Sequence, residues 1–238
     1  MNKSKLDRFI LKYNLGGAVD SVKWRSKGDV LSTSFITPDK CLLGSVSVTN
    51  FSFEDNVLGV YSTTQLQRIL NVMSDNIDLT VTKIDEKAIS LKITDSNATA
   101  NFMLADLSVI NTPQSMKNVP TFDTKINIDN KFIDTFVRGK NALAEADSFT
   151  IVKNRDVKII IGYSTTNSHR IEIPVKTTEA FLLDYISFDA NIFKEILLAN
   201  RECVSAVLEI SSQGLAHIIF KIDNYTSEYY MTALQNIS

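Results

Sequence analysis

Four segments of the chain place apolar residues at the spacing of an amphipathic helix. Counted from a capping residue, the first two carry apolar side chains at positions four, seven, eight and eleven, and the last two at three, four, seven and eight. This spacing lines one side of a helix with side chains that a core can bury. Helices are therefore predicted over 1–14, 62–75, 129–141 and 189–201, with caps at Asn2, Ser62, Asp129 and Asp189.

The caps recur at nearly constant distances along the chain. Successive gaps are 60, 67 and 60 residues, and Ser62 with Gln65 is predicted to form a capping box. A fixed period of this kind indicates a duplicated unit. The longer middle gap holds two prolines among small polar residues, a composition typical of a linker. The sequence therefore predicts domains at 1–110 and 122–238, joined by a linker at 111–121.

Three strand-like runs follow each helix, and a shorter run precedes each later helix. Many alternate between apolar and polar residues, as from Ile77 to Thr82. The runs are 18–24, 29–36, 41–48, 57–61, 77–83, 87–94, 98–105, 122–128, 148–153, 156–163, 169–175, 183–188, 203–210, 214–222 and 226–234. We expect an α+β fold of two similar domains, each with two strand-helix-three-strand units and with helices on the inner face of antiparallel sheets. The alternative is a generic α+β or sandwich domain whose cap spacing is coincidental.

The net charge of −2 argues weakly against nucleic-acid binding. The distribution of charge along the chain is more informative than this net value. The four predicted helical segments carry a net charge of +4, and the rest of the chain carries −6. Lysine and arginine on a smooth helical surface suit phosphates and read no base sequence. The candidate DNA-facing residues are Lys3, Lys5, Arg8, Lys12, Arg68, Lys131, Arg138, Lys140, Lys194 and Arg201.

Shared positions support one common target for these helices. Arg8 and Arg68 both lie six residues after their caps. The alternative for any single helix is an ordinary solvated face that is rich in lysine. Glu195, Leu11 and Leu198 depart from the pattern, so the fourth helix is expected to contribute least.

Cysteine usage and hydropathy narrow the class of protein further. Cys41 and Cys203 lie far apart without the spacing of a metal site, so two reduced thiols are expected. The N-terminal residues lead into an amphipathic segment rather than an apolar one, which predicts no signal peptide. No run approaches the length of a membrane span. We therefore expect a soluble, cytoplasmic protein without a membrane partner.

An enzyme is the main alternative class. The chain has two histidines, His169 and His217, on separate strand-like runs. Asp184, Asp189 and Glu195 could supply carboxylates, but two of them lie at a helix edge or cap. The sequence contains no nucleophile elbow, zinc-binding helix motif or phosphate-binding glycine loop. The prediction is therefore a protein without a catalytic site, metal or cofactor.

Three local stretches, taken with the length and the four-unit order, resemble the DNA sliding clamps, most closely those of T-even-type bacteriophages. The stretches are Ser4-Lys5 before Phe9-Ile10-Leu11-Lys12, Val60-Tyr61 before Leu66 to Leu70, and Tyr229-Tyr230-Met231-Thr232-Ala233-Leu234. The resemblance covers essentially the whole chain. It implies the DNA-clamp fold, with helices lining a hole and sheets forming the outer wall.

The resemblance also implies a function and partners. Clamps encircle double-stranded DNA, tether a DNA polymerase as processivity factors, and are loaded by a clamp-loader ATPase. Six domains form one ring, so a two-domain chain implies a homotrimer, in the host cell cytoplasm if phage-encoded. Partner peptides bind near the linker and closing strand, which makes Met116, Val119 and Tyr230 candidates; the alternative for each is ordinary packing. The competing function is a non-catalytic β-rich structural or adaptor protein without a DNA role.

Overall fold

The computed structural model describes residues 1–114, 116, 118–153, 155–163, 169–177 and 183–234. The α-helices among them are α1 (Lys3–Asn14), α2 (Thr63–Leu70), α3 (Asn130–Ala142) and α4 (Ala190–Ala199). None of these helices is long and apolar enough to cross a bilayer. The strands are β1 (Val22–Lys27), β2 (Val30–Ile36), β3 (Leu42–Val48), β4 (Asn56–Val60), β5 (Asp78–Ile84), β6 (Lys87–Thr94), β7 (Thr99–Met103), β8 (Thr124–Asp129), β9 (Ser148–Lys153), β10 (Val157–Ile161), β11 (Ile171–Pro174), β12 (Tyr185–Asp189), β13 (Ser205–Ser211), β14 (Leu215–Ile222) and β15 (Tyr225–Thr232).

The order of elements repeats as the sequence predicts. Each helix is followed by three strands, and β4, β8 and β12 directly precede the three later helices. The chain divides into two compact units. Unit 1 comprises residues 1–37, 44–114 and 223–227, and unit 2 comprises the described residues of 38–43, 115–222 and 228–238. The predicted domain boundaries at 110 and 122 remain predictions, and residues 115 and 117 of the predicted linker lie outside the described residues.

Helix α1 forms the core of unit 1 with β1 and β2. The sheet that contains these strands has the order β4-β1-β2-β3, and β5-β6-β7 form a second antiparallel sheet. The ring centroid of Phe9 lies 5.8 Å from that of Trp24, and that of Tyr13 lies 6.4 Å from that of Phe35. All four rings are buried. They lie on the apolar stripe that the helical period predicts.

A chain of hydrogen bonds ties α1, α2 and β1 together inside this core. Trp24 Nε1–H donates to the hydroxyl of Tyr13 at 3.1 Å, and that hydroxyl lies 3.2 Å from the hydroxyl of Thr63. Thr63 in turn donates to the backbone carbonyl of Asp20 at 3.0 Å. Burial raises the pKa of Tyr13, so its hydroxyl stays protonated. The indole N–H of Trp24 and the hydroxyls of Tyr13 and Thr63 therefore all have hydrogen-bond partners inside the core.

The start of α2 differs from the predicted capping box. Ser62 makes no side-chain capping hydrogen bond. Instead, Oδ1 of Asp20 accepts from the backbone N–H of Thr64 at 2.7 Å and from its hydroxyl at 2.8 Å. The capping carboxylate comes from the segment before β1, so the residues next to α2 do not reveal it. The helix also ends at Leu70 rather than 75, because Val72 and Met73 donate to carbonyls three residues back, at Ile69 and Leu70.

We expect Asp20→Ala to destabilise the protein by about 0.5–2 kcal/mol, because it removes the carboxylate that caps α2. Ser62→Ala is the matched control and should change stability by less than about 0.5 kcal/mol, since that hydroxyl does not cap the helix. Urea unfolding followed by circular dichroism measures both. Equal effects for the two variants would contradict the assignment of the cap.

In unit 2, β11-β10-β9-β12 form a four-stranded sheet, and β14, β13 and β8 follow β15 in the order of a second sheet. Phenylalanines from α3, α4 and β9 fill its core. The ring of Phe193 lies 4.9 Å from that of Phe136 and 4.8 Å from that of Phe149. Asp129 and Asp189 cap the two helices as predicted, accepting from the backbone N–H of Phe132 and Ile192. The predicted α+β arrangement is therefore present in each unit.

The third strand after each helix lies at one end of the strands that belong to its repeat, which are three after α2 and four in the other repeats. Two of these strands, β3 and β15, are neighbours: within unit 1, Thr49 N–H donates to the carbonyl of Asn224 at 3.0 Å. The other two are β7 and β11, and within the described residues β7 pairs only with β6 and β11 only with β10. Other edges receive hydrogen bonds from nearby segments, as from Ala105 to Gly59 on β4 and from Leu234 to Ser187 on β12.

Candidate nucleic-acid interface

Positive charge is concentrated on the four helices more strongly than the predicted segments indicate. The observed helices contain nine lysines and arginines and three carboxylates, a net charge of +6, so the rest of the chain carries −8. The observed helices leave out three carboxylates, Asp75, Asp129 and Asp189, and one cation, Arg201, which together raise the net charge from +4 to +6. Carboxylates at helix starts satisfy N–H groups and do not neutralise the helix faces.

On α1, three of the candidate residues are half-buried and already make contacts. Lys3 Nζ lies 3.4 Å from a carboxylate oxygen of Asp7, one helical turn away. Lys5 Nζ donates to the carbonyl of Asn50. Arg8 donates to Oδ2 of Asp223 at 2.9 Å. These contacts orient the three side chains along the solvent side of α1.

An aromatic ring supports the same face of α1. The guanidinium carbon of Arg8 lies 4.5 Å from the ring centroid of Tyr225, within range of a cation–π interaction. The hydroxyl of Tyr225 donates to the backbone carbonyl of Lys5 at 2.9 Å. Asp223 lies in the β14–β15 turn and Tyr225 begins β15, more than 200 residues after α1, so the local sequence of the helix does not reveal either partner.

Two candidates do not fit the predicted role, because they are buried. Lys12 is 1% exposed, and its Nζ lies 5.5 Å from the ring centroid of Tyr225. Lys140 is 3% exposed, and its Nζ donates to the carbonyl of Ala144 at 2.7 Å. Both follow their caps by ten or eleven residues, at the border of the apolar stripe, where a long lysine side chain packs its methylenes into the core. Neither ammonium group is placed to face DNA.

The remaining candidates lie at the surface. Arg68, Lys131, Arg138 and Arg201 are exposed. Arg138 Nε–H donates to the backbone carbonyl of Asp134 at 3.3 Å, while Lys194 is half-buried and pairs with Glu195 at 3.2 Å.

Arg201 lies beyond the end of α4, and Leu198 on that helix is 38% exposed. The fourth helix therefore offers the weakest cationic face, as the sequence predicts. Lysines and arginines on exposed helix faces can bind phosphates but present no pattern that reads bases.

The candidate peptide-binding residues lie in unit 2. Met116 is half-buried and Val119 is 50% exposed. Tyr230, on the solvent-facing side of β15, donates its hydroxyl to Oε1 of Glu228 at 2.8 Å. Burial and this carboxylate raise the pKa of Tyr230 to about 12, which keeps the hydroxyl protonated. That these three residues form one pocket remains a prediction.

Groups that could support catalysis are sparse in the part of the chain that the structure describes. Among the described residues, no group of three or more histidine, cysteine, aspartate or glutamate side chains is placed so that it could hold a metal ion. Cys41 and Cys203 are free thiols, half-buried and buried respectively. Burial, with Asp39 nearby, raises the pKa of Cys41 to about 11, which disfavours a reactive thiolate.

A comparison with solved structures identifies the architecture. The chain is similar to the crystal structure of proliferating cellular nuclear antigen from Entamoeba histolytica, with a TM-score of 0.73 and 16% sequence identity over 98% of this chain and 96% of that chain. No protein-family model matches the sequence, and no curated protein matches it. The structural similarity confirms the predicted DNA-clamp fold.

Proposed function

We propose that this chain is one subunit of a ring-shaped sliding clamp that encircles duplex DNA and tethers a DNA polymerase. The observation that carries the proposal is the net charge of +6 on the helices of an otherwise acidic chain with the clamp fold. In a ring lined by these helices, the positive faces meet the phosphates, and the acidic exterior repels them. Because a closed ring around DNA cannot simply dissociate, the protein stays on the duplex for long even though each contact is weak and independent of sequence. The protein acts without catalysis or a cofactor.

The open strands support assembly into a closed ring. The third strands after α1 and α4, which are β3 and β15, are neighbours within the chain. The corresponding strands after α2 and α3, which are β7 and β11, are then the pair that can join neighbouring copies. Pairing β7 of one subunit with β11 of the next is a head-to-tail contact that closes into a ring and leaves neither edge exposed. Two domains per chain and six per ring give the homotrimer that the clamp resemblance implies.

The proposal extends to partners and location. A ring cannot thread onto circular DNA unless it is opened, so we propose a clamp-loader ATPase as a partner, with the polymerase docking through a short hydrophobic peptide at Met116, Val119 and Tyr230. The T-even phage-type family is our choice within the clamps, which places the protein in the host cytoplasm.

The test measures particle mass and topology. Light scattering should give the mass of a trimer, and negative-stain images should show a ring with a central hole wide enough for duplex DNA. Protein loaded on nicked circular DNA should be retained and should be lost when the circle is cut. A stable monomer at micromolar concentration, with no preference for circles, would favour the adaptor function instead.

We expect Asn101→Pro to convert the ring to monomers, with about a tenfold or greater loss of assembly affinity, because proline removes a backbone donor from β7. Leu104 N–H donates to Ile89, and hydrogen bonding alternates along an antiparallel ladder, so the N–H of Asn101 points to the open edge of β7. Asn101→Ala keeps this donor and is the control. Sedimentation over a dilution series reports the assembly. An intact ring with Asn101→Pro would show that β7 is not an interface strand.

A further inference from the structure

The β5 edge of the β5-β6-β7 sheet in unit 1 is open along most of its length. β5 is an end strand of this sheet, and the residues before α1 reach it through an isolated bridge between Asn2 and Asn76. Ile77 N–H donates to the carbonyl of Met1 at 2.9 Å. Beyond Ile77, no strand in the part of the chain that the structure describes pairs with this side of β5. The backbone from Asp78 onward is therefore available to a further strand.

Unit 2 shows what occupies the corresponding edge. There β12, which precedes α4, pairs with β9, which follows α3. Ala190 N–H at the start of α4 donates to the carbonyl of Asp147 at 2.8 Å, just as Lys3 N–H at the start of α1 donates to that of Asp75 at 2.8 Å. The two hydrogen bonds align β5 with β9, so β12 is a template for a strand that the β5 edge can accept.

Two residues of β5 direct their backbone groups to the open edge. Leu79 and Val81 align with Ile151 and Lys153 on β9, and Lys153 N–H donates to the carbonyl of Asp184 at 3.0 Å, next to the start of β12. Because hydrogen bonding alternates along an antiparallel ladder, Ile151 also directs its N–H and C=O groups to β12. The same groups of Leu79 and Val81 therefore point to the open edge of β5.

A cavity of about 410 Å³ lies beside this edge, with Met1, Phe53 and Leu79 among its apolar lining residues. Leu79 is half-buried, whereas Ile151, its counterpart beneath β12, is fully buried. In unit 2, Ile186 of β12 lies opposite Ile151 and is 7% exposed. The cavity therefore has the place and the lining for an apolar side chain that corresponds to Ile186.

We propose that the open edge of β5 is a docking site for a short extended segment of a partner protein, which adds to the sheet antiparallel to β5. The segment places an apolar, β-branched residue beside Leu79 and exchanges backbone hydrogen bonds with Leu79 and Val81. This site shares no residue with the candidate peptide surface at Met116, Val119 and Tyr230, and it does not depend on the clamp function.

The form of the edge favours a short segment over a second copy of the sheet. The pairing register of β5 shifts between Thr82 and Lys83, which interrupts the ladder after Val81. Lys83 also carries a charge at the strand edge, where its Nζ lies 3.2 Å from a carboxylate oxygen of Glu54. Bulges and charged side chains at a strand edge oppose the pairing of whole sheets.

Amide hydrogen exchange, followed by nuclear magnetic resonance of the full chain, tests the proposal. The probe is the tetrapeptide leucine-aspartate-tyrosine-isoleucine, acetylated and amidated, which copies residues 183–186. Without peptide, exchange should be fast at Leu79 and Val81 and slow at Thr80, which faces β6. Near-saturating peptide should slow exchange at Leu79 and Val81 by about tenfold or more, because the bound state protects both amides.

A single N-methyl group on the peptide provides the matched control. On the isoleucine it removes the N–H that donates to the carbonyl of Leu79, and it should weaken binding by about tenfold or more. On the tyrosine it should leave the affinity within about twofold, because the corresponding Tyr185 lies between two outward-bonding positions and directs its N–H away from β9. Both comparisons use the unaltered protein, so they do not depend on the folding of a variant.

Two substitutions on the protein side repeat the comparison. Val81→Pro removes a donor that faces the open edge and should weaken peptide binding by about tenfold, whereas Val81→Ala keeps the donor and should weaken it by less than about threefold.

Three outcomes would overturn the proposal. They are exchange at Leu79 and Val81 that ignores the peptide, equal affinities of the two N-methylated peptides, and slow exchange without peptide that becomes faster on dilution. The last result would identify a second copy as the occupant of the edge. The experiments need neither DNA nor a polymerase, so their failure is distinct from a failure of the proposed clamp function.

Discussion

Replacing Arg8, Arg68, Lys131 and Arg138 together by glutamine is expected to reduce retention on circular DNA by about tenfold or more. Each exposed charge pair contributes roughly 0.2–1 kcal/mol, and four are lost in every subunit. The salt dependence should also become shallower, by about 0.9 in the logarithmic slope for each phosphate contact removed. Retention on nicked circles over a series of salt concentrations measures both quantities.

The control neutralises the same number of charges on strands. Arg25, Lys27, Lys87 and Lys221 are exposed, and their replacement by glutamine should leave retention within about twofold, because the strands form the outer wall in the proposed ring. Light scattering should give an unchanged trimer for both variants. If the helix variant fails to assemble, its basic face belongs to a subunit contact and the assignment to DNA is wrong.

Replacing Phe193 by alanine should destabilise the protein by about 3–5 kcal/mol, the largest loss we expect from a single substitution. Its ring is fully buried on α4, stacks on Phe149 and meets Phe136 edge to face, so its removal leaves a cavity that rigid neighbours cannot fill. Urea unfolding at fixed protein concentration measures the change. Because a ring also gains stability from assembly, the concentration must be matched between variants.

A neighbouring leucine on the same helix provides the control for that change. Leu198 is 38% exposed, and Leu198→Ala should cost less than about 1 kcal/mol because little apolar area is lost from the core. If the two variants lose equal stability, the core of unit 2 does not depend on the packing of Phe193.

The helices and strands were largely predictable because their signals are local. The caps at Asn2, Asp129 and Asp189 accept backbone N–H groups within their own helices, which a reading of nearby residues can recognise. The cap at Ser62 was wrong because Asp20, 44 residues before Thr64, takes its place. Local spacing contains no information about such a partner.

The candidate interface was less predictable, because burial and strand register are properties of the fold. A helical wheel places Lys12 and Lys140 at the border between the apolar and polar faces of their helices. Packing in the folded protein determines that these two side chains turn inward. Likewise, the sequence presents His217 as a lone histidine on a strand-like run. Its partners Glu209 and Glu228 become visible once β13, β14 and β15 are aligned, because a shift of one residue would turn each side chain to the opposite face.

The buried indole in the core of unit 1 gives the protein an intrinsic optical reporter. Trp24 is the one tryptophan in the sequence and is 2% exposed among Phe9 and Tyr13, so its emission shifts to the red when water enters this core. Unit 2 contributes no tryptophan emission, whereas circular dichroism records both units. Tryptophan fluorescence of Phe193→Ala therefore distinguishes one cooperative transition, in which both signals shift together, from two transitions, in which the emission of unit 1 stays at its wild-type midpoint.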